Sequence, residues 1–139
     1  MADVVTSQTI VDTTGTKTVM KFTNICDGSG ETLVTKMDAS ALTFMTEDAT
    51  KKIAKIYWAI NTTNGKSGVE ISWAGSGTSS ADATIGFFSG TGFHDYNVAG
   101  NNIPNNATLT ANTSPAGDIL FSTKGFVAGD NYTIILEVR

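Results

Sequence analysis

Side-chain character alternates with a period of two in segment after segment of this chain, and a helical period is almost absent. In the C-terminal run, Tyr132, Ile134, Leu136 and Val138 share one side while Thr133, Ile135, Glu137 and Arg139 share the other. Successive side chains of an extended backbone point to opposite faces, whereas a helix returns to one face every three or four residues. The same alternation sets Val69, Ile71 and Trp73 against Glu70 and Ser72, and Ile119, Phe121 and Thr123 against Asp118, Leu120 and Ser122. Each segment reads as a strand with one wet side and one apolar side.

The remainder of the chain extends the pattern. VVTSQTIVD and KTVMKFTNI read as two strands about the turn Thr13-Thr14-Gly15, an opening hairpin whose second strand presents Met20 and Phe22 on one face. In KKIAKIYWAIN, Thr46-Glu47-Asp48 offers a cap for a short helix, but Ile56, Trp58 and Ile60 alternate, so a strand is expected from about Ile53. Further strands are expected at Glu31 to Lys36, Ala83 to Phe88, His94 to Val98 and Ala107 to Thr110, and ASALTFMTEDATK reads as a connection with one helical turn. About eight to ten short strands separated by Gly, Asn, Asp and Ser clusters predict an all-β fold with little or no helix. The expected architecture is an antiparallel β-sandwich, jelly-roll or immunoglobulin-like. Its predicted core is Phe22, Ile56, Trp58, Ile71, Trp73, Phe87, Phe121, Ile134 and Leu136, with the last strand central in its sheet.

The 139 residues suit one domain spanning residues 1–139, and no repeat or composition shift marks a second. Charged residues make up only 16%, and the formal net charge is -4, so the average field repels phosphate backbones and anionic lipid. Neither nucleic acid nor membrane is an expected partner. The opening MADVVTSQTIV lacks a basic n-region and a continuous apolar stretch, so folding in the cytoplasm is expected. The single cysteine, Cys26, cannot form an internal disulfide and reads as a small buried hydrophobe.

The chemistry-bearing residues are sparse. His94 and Asp95 are neighbours, and on a strand they point to opposite faces, so they cannot orient one another as a catalytic pair. One Cys and one His do not supply the ligands of a structural zinc site. In CDGSGE, Asp27 and Glu31 could offer oxygens to a calcium ion, but an ordinary glycine turn is the preferred reading, and no metal or cofactor is expected. The glycine pairs lack both the dinucleotide fingerprint and the P-loop lysine. A glycosidase reading with Asp82 and Asp95 is the weakest, and a sugar platform around GFFSGTGFHDY competes with a core role for the same aromatics.

The runs MADVVTSQTIVD, VMKFTNICDGSGETLVTKMDASAL and GDILFSTKGFVAGDNYTIILEV together resemble a family of small virion structural proteins of tailed bacteriophages, especially marine and cyanobacterial ones. The likeness covers the first forty or so residues and the last two dozen, and carries no catalytic motif. It implies a non-enzymatic capsid decoration or cement protein on the outside of the major capsid lattice, assembled in the host cytoplasm. The implied partners are the major capsid protein and further copies of the chain, as a dimer or trimer. Alternatives are a tail or neck component, or a receptor- or carbohydrate-binding one. Within that frame, interface residues are expected on the N-terminal strand at Val4, Val5, Gln8 and Ile10 and in the polar loop at Asn101, Asn102 and Asn105, unless the N-terminal stretch is simply the domain's own edge strand.

Overall fold

The computed structural model describes residues 3–13, 17–38, 42, 52–74, 81–96 and 118–139. Among them are nine strands: β1 (Val4–Thr13), β2 (Lys17–Ile25), β3 (Val34–Met37), β4 (Ile53–Asn61), β5 (Gly68–Ala74), β6 (Ala81–Phe88), β7 (Gly90–Asp95), β8 (Ile119–Lys124) and β9 (Asn131–Val138). No helix occurs among the described residues. The strands form two sheets, ordered β1-β2-β9-β4-β7 and β3-β8-β5-β6, and every neighbouring pair is antiparallel. The fold is an antiparallel β-sandwich.

The strand order selects between the two expected sandwich types. Read across the sheets, β2, β9, β4 and β7 hold the same positions as β3, β8, β5 and β6, so each strand matches a sequence neighbour in the other sheet. Such paired winding of eight strands is the jelly-roll order. β1 is the fifth strand of its sheet and has no counterpart among the described strands of the second.

The core lies between the sheets. Phe22, Ile56, Ile134 and Leu136 come from the first sheet, and Val69, Ile71, Trp73, Ile119 and Phe121 from the second, all buried. Phe22 meets Phe121 edge-on with ring centres 5.1 Å apart, and Phe121 meets Tyr132 at 5.8 Å. Each such aliphatic or aromatic side chain contributes roughly 1.5–3 kcal/mol through burial. The terminal strand β9 lies between β2 and β4, as its alternation implied.

Several expectations change. Phe87 is 51% exposed and Phe88 is buried, because the register pairs Phe88 with the buried Val69 and Phe87 with Glu70. Trp58 is half-buried: it lies over Gly92 of the edge strand β7 and donates Nε1–H to the Ser89 carbonyl at 3.1 Å. β8 has no wet face over residues 119–122, since Leu120 and Ser122 are as buried as Ile119 and Phe121. The strand expected at Glu31 to Lys36 begins only at Val34, after Leu33 in a left-handed conformation (φ 49°), and the one expected from His94 begins at Gly90. The strand expected at Ala107 to Thr110 and the helical turn before Lys51 fall outside the described residues.

Candidate interaction edge and polar cluster

β1 is the outermost strand of the larger sheet, and its second hydrogen-bonding edge has no partner among the described residues. Its pairing with β2 places Val5, Ser7 and Thr9 on the side of Asn24, Phe22 and Met20, the core side of the sheet, and Val4, Thr6 and Gln8 on the outer side. Ile10 falls at an irregularity between Thr9 and Val11 and has no cross-strand partner, the pattern of a β-bulge. Residues 4–10 are exposed, with Val4 60%, Val5 42% and Ile10 50% accessible. No charged residue occurs between Val4 and Val11.

The other sheet edges differ. β3 has four residues, one irregularity and Lys36; β6 carries two register irregularities; β7 holds two glycines. Short length, bulges and charge are the features by which edges avoid pairing with other chains. β1, ten residues long, relies on one bulge.

The outer face of the larger sheet runs back from this edge. Cross-strand register sets Gln8, Lys21, Ile135, Tyr57 and Phe93 in one row over all five strands. Tyr57 and Phe93 are direct partners, 37% and 61% exposed. The adjacent row holds Glu137, Lys55 and Asp95, with Lys55 Nζ 3.8 Å from Asp95 and 3.9 Å from Glu137. His94 turns to the opposite face and stacks with Tyr96 at 4.2 Å, so His94 and Asp95 diverge as strand geometry requires.

At the end of the sandwich where β1 begins and β2 ends, the polar residues converge. Tyr132 donates its hydroxyl to Glu31 Oε1 at 2.5 Å, and Lys36 Nζ lies 2.5 Å from Glu31 Oε2, all three side chains buried. Burial and the negative charge of Glu31 push the Tyr132 phenol far above its usual range. Beside them, Asp3 accepts the Asp27 amide at 2.9 Å and Asn24 Nδ2 at 3.0 Å. Asp27 accepts both the Ser29 hydroxyl at 2.6 Å and the Ser29 amide at 3.0 Å, and these bonds hold its carboxyl down at about 2. Cys26 is buried, and its Sγ accepts the Gly28 amide at 3.3 Å.

The structure therefore separates the two carboxylates that CDGSGE presents together. Glu31 is committed to Lys36 and Tyr132, whereas Asp27 joins Asp3 and Cys26, whose ligand atoms all lie within 4.8 Å of one another. Asp3 and Asn24 were invisible as members of this cluster, because only the closure of the β1–β2 hairpin brings the chain start to residues 24–27. Of the expected interface residues, Val4, Val5, Gln8 and Ile10 are exposed together on β1, which is the domain's own edge strand. Asn101, Asn102 and Asn105 lie outside the described residues, as does the side chain of Asp82. No helix among the described residues is long and apolar enough to cross a membrane. No family model, curated protein or solved structure matches the chain.

Proposed function

We propose that this protein is a structural component of a tailed-bacteriophage virion, a decoration protein that binds the outside of the major capsid lattice and stabilises the head. The observation that carries the reading is the β1 edge: long, exposed, uncharged from Val4 to Val11, and mounted on a densely packed jelly roll. An extended segment of a capsid subunit, or of another copy, adds to such an edge through main-chain hydrogen bonds, with Val4, Val5 and Ile10 supplying apolar contact. Binding that favours the assembled shell stabilises it by mass action, and repetition over a lattice multiplies the effect through effective concentration. Jelly rolls serve as capsid and lectin domains alike, so the fold is compatible with this role, and the edge strand carries the argument.

The test uses capsids lacking the protein. A Val4→Lys/Ile10→Lys variant places charge on the exposed edge while changing unfolding stability by no more than about 0.5 kcal/mol per site. Capsid occupancy should fall sharply at unchanged fold; occupancy equal to wild type removes the edge from the mechanism. Deleting residues 2–11 is the harsher form of the same experiment. It also removes Asp3, so its fold must be checked by near-UV circular dichroism.

A second reading, a carbohydrate- or receptor-binding virion component, is favoured by one feature. Tyr57 and Phe93 form an exposed aromatic pair beside the charged row of Lys55, Asp95 and Glu137, a combination suited to stacking and hydrogen-bonding a sugar ring. Tyr96 packs against the core and the His94 ring, which leaves Tyr57 as the partner of Phe93. On this reading Phe93→Ala abolishes host adsorption and leaves capsid occupancy unchanged; retained adsorption eliminates it.

A further inference from the structure

We infer that Asp3, Asp27 and Cys26, with Asn24 beside them, form a binding site for a thiophilic divalent cation of the zinc class. The inference is independent of the virion reading and rests on four residues gathered from the start of β1 and the end of β2.

The donor set comes first. One thiol sulfur and two carboxylate oxygens lie within 4.8 Å of one another, close enough for small side-chain adjustments to bring all three to the ~2.0–2.3 Å at which zinc holds oxygen and sulfur. A thiolate and two carboxylates carry three negative charges, which a divalent cation largely offsets. Sulfur selects a softer ion over calcium or magnesium, whose ligands are oxygens.

The second observation is Asn24. Its side chain is fully buried and turned into the cluster, with Nδ2 donating to Asp3 Oδ2 at 3.0 Å, yet Oδ1 has no hydrogen-bond partner. A buried carbonyl oxygen without a partner is costly and rare. A half-turn of the amide exchanges its two ends and presents the oxygen toward Asp3, where a cation accepts it as a fourth ligand. With the amide as it stands, Asn24 orients the Asp3 carboxylate, the usual task of a residue behind a metal ligand.

The surrounding backbone holds the donors in place. The Gly28 amide donates to Cys26 Sγ at 3.3 Å and orients the sulfur, and the Asp27 amide fixes Asp3 through Oδ1 at 2.9 Å. Gly28 has φ 115°, a conformation open chiefly to glycine, so the turn that aims its amide at sulfur depends on that residue. A bound ion would clamp the start of β1 to the loop after β2 and so stiffen the exposed edge strand.

The experiment titrates the metal-free full-length protein with Zn²⁺, Co²⁺ and Ca²⁺ separately. Expected results are one Zn²⁺ per chain, a thiolate-to-metal charge-transfer band with Co²⁺, a raised melting temperature with Zn²⁺, and no response to Ca²⁺. Cys26→Ser should remove the Co²⁺ band, Asp27→Asn should weaken Zn²⁺ binding, and Asn24→Ala should weaken it by about 10- to 100-fold. Melting temperatures of the metal-free variants show separately whether each still folds. Absence of stoichiometric Zn²⁺ binding, or binding that Cys26→Ser and Asp27→Asn both leave intact, overturns the assignment.

Discussion

Glu31, Lys36 and Tyr132 form a buried charged and hydrogen-bonded group beside the apolar core of the sandwich. Taking both charges of the pair out of water is expensive, and the short contact to Lys36 together with the Tyr132 hydroxyl offsets that cost only while all three are present. Lys36→Met alone strands a buried carboxylate and should lower unfolding stability by about 3–5 kcal/mol in urea denaturation. A triple replacement, Glu31→Leu with Lys36→Met and Tyr132→Phe, should recover most or all of that loss, because no polar group remains to be desolvated. A triple variant as unstable as the single one would mean that packing around Lys36, not its charge, matters. The group also ties β3 in one sheet to β9 in the other across the core. The sequence pattern does not group these residues: Glu31 sits in a glycine turn that could offer oxygens to calcium, Lys36 ends an expected strand, and Tyr132 falls on the apolar side of β9.

Among the elements, β6 is the case where alternation is ambiguous within the segment itself. ATIGFF ends in two adjacent phenylalanines, and only one of them can face inward. The choice is made by β5, whose Val69 and Ile71 face the core and pair with Phe88 and Gly86. Phe88 then packs on Trp58, ring centres 4.8 Å apart, while Phe87 is left in water. Phe88→Ala should therefore cost about 3 kcal/mol or more and Phe87→Ala no more than about 0.5. Equal losses for the two would contradict this register. The same contact explains Gly92: a Cβ there would lie 2.3 Å from the Trp58 ring, so β7 approaches closely only because this position has no side chain. β1 shows the opposite situation, an element legible from its sequence together with its pairing to β2, whose exposure could be fixed only by the strand order around it.

For the whole molecule, one residue, Asp130, joins three connections at the polar end. Buried in the turn before β9, its carboxylate accepts the Val127 amide at 2.9 Å, the Thr63 amide at 3.0 Å and the Thr63 hydroxyl at 3.1 Å, while its backbone carbonyl accepts the Cys26 amide at 2.8 Å. The Val127 amide and the two Thr63 donors favour the charged form and hold its pKa below the ordinary carboxylate value. A depressed folded-state pKa contributes stability that is present above the unfolded value of about 3.9 and is lost as pH falls through the folded value. Acid unfolding followed by tryptophan fluorescence should thus steepen below about pH 4, and Asp130→Asn should be less stable at neutral pH with a shallower acid limb. An unchanged acid limb in that variant would assign acid sensitivity to other carboxylates.

By itself the sequence determined that this chain is a sandwich of antiparallel strands, which residues begin most of them, and that its last strand is built for the interior. Those are local facts: alternation, β-branched side chains and turn residues act within a few positions of one another, and they read the same whatever lies across the sheet. The jelly-roll order, the inward turn of Phe88, the overhang of β1 and the meeting of Asp3, Asn24, Cys26 and Asp27 were decided only by tertiary structure. Each depends on register between segments far apart in the chain, and register is settled by the combined packing of both sheets, a quantity no single stretch of residues contains.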